Sequence, residues 1–304
     1  MTPAKLMHVH FESGVKTGER RAFSLIEVMV AVTLMSVIVL GLLTMFSQTQ
    51  RAFRAGITQV DVMESGRASL EMMAREMEQA APTRLPNSVN FYAGWNNGYL
   101  LPQTLPGQNG AGQTQWRTNI LQNLAFTTRE NQNWQGVGYA VAFDNSSVGT
   151  LYRYETNASA LDPDKVAVLF GNTFKARPSR IADGVVHFRV LAYDTFGRLM
   201  TPGWFYSSNM IGQLAISDTV PPTPANYSYW FASNAVPAYV ELEIGLLEQK
   251  TTERARNLAF LPGLPQGAAD PAQPQMIFLK NQVGHVQVFR QRIPIRNVMP
   301  SEYQ

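Results

Sequence analysis

Glu27 is the residue whose type and place call for a chemical explanation. It stands in "ERRAFSLIEVMVAVTLMSVIVLGLLTMF", residues 19–46, at the start of a run with no charged residue from Val28 to Gln50. A carboxylate at mid-bilayer costs a few kcal/mol, and less at the edge, where it can reach water. The chemistry open to it is ion pairing, and its best partner is a cation held at the same depth. At about 4 Å and an effective dielectric of about 20, such a pair attracts by roughly 4 kcal/mol. Desolvation reduces that net gain, in some settings to near zero.

Other groups with chemical potential are sparse. His8, His10 and Glu12 have the composition of a metal cluster but lie in the first 22 residues. His187 and His285 stand alone in strand-like segments, a pattern that fits satisfied or exposed residues better than catalytic ones. Asp162-Pro163-Asp164 and Asp144-Asn145 offer oxygens to a hard cation, but without EF-hand spacing they read as turns. No G-x-S-x-G, P-loop or zincin motif occurs. Trp204, Phe205 and Tyr206, with the Tyr227-to-Phe231 cluster, are a candidate binding patch, although such aromatics more often cover a core. No cofactor, metal or catalytic residue is expected.

Composition narrows the class. The chain has 304 residues, 45% of them apolar, and a formal net charge of +3. Residues 1–22 carry four Lys/Arg (Lys5, Lys16, Arg20, Arg21) and two acids, so their removal leaves +1. That balance, without a basic tract, predicts no nucleic-acid partner. With 0 cysteines, disulfides, thiolate metal sites and a Cys nucleophile are excluded.

The elements that position Glu27 follow from periodicity. Val28 to Phe46 is nineteen residues, which as a helix spans roughly 28 Å, close to the hydrocarbon thickness. Arg20 and Arg21 precede it and predict a cytoplasmic N-terminus with the remainder translocated across the membrane. The run is too long, and "TMFSQTQRAF" too poor in small-x-small sites, for a cleaved Sec signal. No proline occurs between Pro3 and Pro82. Phe53, Ile57, Val60, Met63, Leu70, Ala74, Met77 and Ala81 recur on one helical face, with Arg67 filling the gap. One helix is therefore expected from about Phe23 to about Ala80, weakened at Gly56 and Gly66 and ended by Pro82 and Pro86.

Beyond it the sequence reads as β. Strands are expected at 134–144, 150–156, 165–170, 183–194, 236–247 and 284–297. Val186, Phe188, Val190 and Ala192 fall on one face, with His187, Arg189, Leu191 and Tyr193 on the other. "YDTFGRL" predicts a loop with a strand on its far side. Residues 82–119, 217–235 and 261–275 read as loops. A short helix is expected at 251–260, capped by Thr251 or Thr252. The fold class is α+β: a long N-terminal helix, apolar in its first half and amphipathic in its second, packed on an antiparallel sheet.

"AFSLIEVMVA" resembles the processing motif of type IV prepilins and type II secretion pseudopilins. That motif has a small residue, then Phe, then a hydrophobic run with Glu at the fifth mature position. The resemblance implies cleavage between Ala22 and Phe23 by prepilin peptidase and N-methylation of Phe23. Ala22 departs from the usual Gly but is small. "ESGRASLEMMAREMEQAAP", "ADGVVHFRVLAYDTFGRL", "VPAYVELEIGLL" and "RIPIRN" resemble the PilW-like and J-type minor pseudopilins, over the N-terminal third well and the rest in patches. Glu27 argues against the K-type tip pseudopilin, whose family typically lacks this acid.

The resemblance implies a division into a leader (1–22), a membrane or filament-core half-helix (23–46), an amphipathic half-helix (47–81) and an extracytoplasmic β-rich domain (82–304). It implies a pilin-like fold and a structural subunit of a type IV pilus or type II secretion pseudopilus. Implied partners are other pilins or pseudopilins, prepilin peptidase, the inner-membrane assembly platform and membrane lipid. Glu27 would meet the Phe23 amine of a neighbour and penalise wrong stagger. The competing reading is a membrane-anchored binding domain or enzyme that uses the motif only for insertion.

Overall fold

A computed structural model of the chain describes residues 24–86, 88–108, 114–143, 147–159, 173–201, 210–216, 226–258 and 273–303. It comprises two compact units, Met1–Ala55 and Gly56–Gln304. Helix α1 spans Leu25–Met77 and contributes to both. The strand expected at 165–170 lies outside the described residues, as do His8, His10, Glu12, Asp144, Asn145, Asp162, Asp164, Trp204, Phe205 and Tyr206.

Among the described residues, nine strands form one sheet: β1 (Val89–Gln108), β2 (Thr114–Glu130), β3 (Asn133–Ala142), β4 (Gly149–Ser159), β5 (Ser179–Tyr193), β6 (Met210–Ile216), β7 (Asn226–Ala232), β8 (Tyr239–Leu247) and β9 (Val286–Pro294). Their order is β6-β7-β1-β2-β3-β4-β5-β8-β9, and every neighbouring pair is antiparallel. An additional parallel pairing at Leu121↔Phe188 joins β2 to β5. The fold is α+β, a long N-terminal helix with a large antiparallel sheet. Helices α2 (Gln249–Arg256) and α3 (Pro274–Lys280) follow β8.

Strands β1 and β2 correct the expectation of a loop across 82–119. Their Asn, Gln, Gly and Pro content suggests irregular backbone, and β1 does carry an irregularity between Trp95 and Leu100. Buried amides nevertheless find defined partners. Asn119 donates to Leu101 O at 3.0 Å, Gln122 Oε1 accepts the Val190 N–H at 2.5 Å, and the Ile120 N–H reaches His187 Nδ1 at 3.2 Å. Where β2 passes from β3 to β5, side chains thus complete the hydrogen bonding that a regular ladder would supply. The 217–235 loop is corrected similarly, because β7 occupies Asn226–Ala232 and buries Tyr229 and Phe231.

Smaller corrections have local causes. Thr251 and Thr252 lie inside α2 and are buried; Glu248 precedes that helix and makes no side-chain cap. The turn after β5 closes through Gly197 N–H to Asp194 O at 3.0 Å, and its far side is a single bridge, Tyr193↔Leu199. Gly66 marks a close approach, since a Cβ there would overlap the Phe289 ring. On β9, Val286 is buried while Val288 and Arg290 are exposed.

The core lies between the 62–80 stretch of the chain and one sheet face. Met73, Met77, Phe91, Phe126, Phe188 and Ile244 are fully buried within one cluster. In β5, Val186, Phe188, Val190 and Ala192 all join that core, but His187, Arg189 and Leu191 are buried too, so the strand is covered on both faces. Polar contacts fix the helix end. Arg153 Nε meets Glu76 Oε1 at 2.9 Å, and the Tyr139 hydroxyl donates to Glu76 Oε2 at 2.5 Å. Burial, followed by the neighbouring Glu76 charge, pushes the Tyr139 hydroxyl above its ordinary range.

Candidate functional site

The first turn of α1 is built by Ser24 and Glu27. Ser24 Oγ accepts the Glu27 N–H at 3.2 Å, and Ser24 O accepts the same N–H at 3.0 Å. Ser24-x-x-Glu27 has the spacing of a capping box, a signal present in the sequence but not used above. Glu27 therefore occupies the helix end where the macrodipole favours a carboxylate. Its side chain is exposed and, among the described residues, has no ion-pair partner. Ala22, Phe23, Arg20 and Arg21 lie outside the described residues.

Behind Glu27 the helix is long and apolar enough to cross a membrane. The large hydrophobic side chains from Leu25 to Phe46 are 45–80% exposed. The hydroxyls in this stretch are satisfied within the helix: Thr33 donates to Val30 O at 2.8 Å, Ser36 to Val32 O at 2.7 Å and Thr44 to Gly41 O at 2.7 Å. These three hydroxyls therefore need no water, as residence in hydrocarbon requires.

The stripe expected to pack against the sheet does so only in part. Leu70, Ala74, Met77 and Ala81 are buried, whereas Phe53, Ile57, Val60 and Met63 remain 51–72% exposed. The buried face instead begins at Val62 and includes Met73. A groove of about 860 Å³ runs beside Val60, Met63 and Leu70, with Val288 and Phe289 of the edge strand β9 on its other wall.

The two histidines have acidic partners. His187 is buried, with Nε2 at 3.4 Å from Glu243 Oε2, and Arg189 Nε lies 2.6 Å from the same oxygen. Arg290 also pairs with Glu243. Burial pushes the His187 pKa below its ordinary value. Burial would raise the Glu243 carboxyl, but hydrogen bonds from His187 and Arg189 hold it well below the usual carboxylate range. These groups are already paired to one another, which fits internal cross-bracing of β5, β8 and β9 rather than a site. His285 Nδ1 lies 2.9 Å from Glu248. Among the described residues, no group of three or more His, Cys, Asp or Glu could hold a metal ion.

The described residues form an α+β protein whose first helix is exposed and apolar over Leu25 to Phe46. Residues 19–43 match the family model described as the prokaryotic N-terminal methylation motif. This motif together with the apolar helix fits membrane anchoring. Among solved structures, a type IV-like pilin from Thermus thermophilus aligns with 10% identity, covering 78% of this chain and 96% of that one, at a TM-score of 0.34. No curated protein matches the chain.

Proposed function

We propose that the chain is a minor pilin or pseudopilin, a structural subunit of a type IV pilus or type II secretion pseudopilus. The observation that carries this reading is the methylation motif at 19–43, continued by an apolar helix whose side chains are exposed from Leu25 to Phe46. Prepilin peptidase cuts between Ala22 and Phe23, with Arg20 and Arg21 holding the leader on the cytoplasmic side. The exposed Phe23 amine is then methylated and remains ionisable. The subunit waits in the inner membrane, its sheet-bearing part outside the cytoplasm, until the assembly platform draws it into the filament.

Glu27 is the register device. It supports a neighbour's helix only where that neighbour's Phe23 amine arrives at the same depth, since an unpaired carboxylate in hydrocarbon is costly. The test is a Glu27→Ala strain. Filament assembly or secretion is expected to fall while the protein stays folded, anchored and cut at Phe23. Unchanged assembly and secretion would remove the reading, and an intact leader in the wild type would do so independently.

A further inference from the structure

A pocket of about 440 Å³ lies in the sheet-bearing unit where three segments meet: residues 81–84 beyond α1, the β2–β3 hairpin and residues 297–299. That volume is within the roughly 300–1,000 Å³ of sites that take small molecules. Hydrogen bonds hold the three segments together. The Ala81 N–H donates to Thr127 O at 2.9 Å, the Thr127 hydroxyl to Ala81 O at 2.8 Å, and Asn297 Nδ2 to Ala80 O at 3.0 Å. Arg84 and Arg129 line the pocket, and among the described residues no Asp or Glu does.

Neither arginine is neutralised by the described residues. Arg129 Nε donates to Asn131 O at 3.0 Å, and its guanidinium lies over the Trp134 ring at 5.5 Å. Those contacts fix the group and leave its terminal nitrogens without an acceptor among the described residues. The register pairs Arg129 with Trp134 and Glu130 with Asn133, so Glu130 falls on the opposite face. Glu78, just before the pocket in the chain, is held by Arg296. The Arg84 side chain makes no hydrogen bond or ion pair among the described residues. Its φ of 61° is in the left-handed region that a residue other than glycine seldom adopts. The Arg84 N–H, donating to Ser233 O at 3.0 Å, holds it there. Backbone cost of this kind is concentrated at binding positions.

Two guanidiniums without a counter-charge call for a dianion. A carboxylate brings one negative charge. A phosphate monoester carries close to two near pH 7, with three terminal oxygens for the donors of both planar forks. Ala81, Pro82, Val298 and Met299 supply an apolar wall for the group that the phosphate esterifies. We propose that this pocket binds a phosphate monoester, its terminal oxygens on Arg84 and Arg129. Binding of this kind is independent of the filament-subunit reading and adds a small-molecule site to the sheet-bearing unit.

Isothermal titration of the full-length chain in an uncharged detergent tests it, with phenyl phosphate, inorganic phosphate and benzoate as probes. Saturable one-site binding of phenyl phosphate is expected, with benzoate at least tenfold weaker because it carries one charge. Arg129→Gln and Arg84→Asn should each raise Kd for phenyl phosphate at least tenfold. Asparagine tolerates left-handed backbone and so keeps the turn at position 84. Both arginines are exposed, so the urea midpoints of the variants should stay close to the wild type. Arg254→Gln, which removes an exposed cation outside the pocket, should leave Kd unchanged. Inorganic phosphate binding as tightly as the ester would identify the free ion as the ligand, and weaker binding an ester that uses the apolar wall. No saturable binding of either phosphate, equal binding of benzoate, or equal weakening by Arg254→Gln and Arg129→Gln would overturn the site. The filament reading would stand in each case, and a photoreactive residue at Ile57 tests it separately in membranes by capturing neighbouring subunits.

Discussion

Val28–Phe46 and Val62–Met77 lie on one helix, both place apolar side chains on its surface, and they differ in what covers them. In the first, Leu34, Leu40 and Phe46 are 59–63% exposed; in the second, Leu70, Met73 and Met77 are at most 4% exposed. Apolar area left in water forgoes about 25 cal/mol per Å². The second stretch recovers that through the sheet. The first recovers it only from lipid or another helix. Each region also has its acid: Glu27 has no cation among the described residues, while Glu243 has Arg189 and Arg290. Among the described residues, the second region is satisfied within the chain and the first is not.

The sharpest way to break that contrast is to remove each acid in turn. Glu243→Ala leaves buried Arg189 without its counter-charge and is expected to cost about 3–5 kcal/mol in urea unfolding of the detergent-solubilised chain. Glu27→Ala should leave the unfolding midpoint of the sheet-bearing unit unchanged. The same cluster sets an acid limit. His187 binds its proton more weakly folded than unfolded, so the unfolded state takes up protons first as pH falls through its ordinary value near 6.5. Stability from this residue is thus present above that pH and declines below it. Glu243 and Asp183, both lowered, add a second loss as pH falls below the usual carboxylate range toward about 2. Urea midpoints at pH 7.5, 5.5 and 3.5 should decrease in that order, and His187→Gln should flatten the first interval. A midpoint that rises between pH 7.5 and 5.5 would refute the assignment.

Deleting an apolar side chain tests the same contrast with less charge involved. Met73→Ala should cost about 2–5 kcal/mol, because the residue is fully buried and its neighbours relax only partly. Leu40→Ala, made in the same helix, should leave unfolding unchanged and instead reduce recovery of crosslinked partners. If Leu40→Ala lowered the midpoint by a similar amount, the exposed stretch would have a cover within its own chain.

The sequence made the helix and its apolar half legible because both rest on strong local signals: a charge-free run and a proline-free interval. The core face of β5 was legible from its period of two, whereas the burial of His187 and Arg189 on its other face was not. Strands β1 and β2 were not, because their regularity depends on long-range amide partners such as Gln122 with Val190 and Asn119 with Leu101, which no window of sequence contains. The start of helix packing was misplaced because periodicity identifies a face and not where a cover begins: Met63 fits the stripe and is exposed, while Val62 is buried. The Ser24–Glu27 cap could have been read from S-x-x-E spacing. The partners of His187 and Glu243 could not, since they join three strands.

Gly66 places an intermediate effect at the boundary between covered and uncovered helix. Gly66→Val should cost about 1–3 kcal/mol, since a side chain there overlaps the Phe289 ring. Adding Phe289→Ala should recover part of the loss, because space vacated by the ring accommodates the new side chain. Full cost in the double variant would mean that helix propensity or backbone, and not the ring, selects glycine.

Arg67 gives the smallest effect and the finest test. It pairs with Glu71 at 2.9 Å one turn away, but the two side chains are 81% and 49% exposed. Such a pair contributes about 0.2–1 kcal/mol, and single i,i+4 pairs sit near the lower end. Arg67→Ala is therefore expected to shift unfolding by less than about 0.5 kcal/mol, and added salt should shrink even that. The residue nevertheless lines the groove between Val60, Met63 and the edge strand β9. If that groove belongs to the outward-facing half of the contrast, Arg67→Ala changes partner crosslinking from Ile57 while stability stays flat. If it belongs to the self-contained half, neither measurement moves, and the boundary between the two regions lies N-terminal to Val60 rather than along the groove.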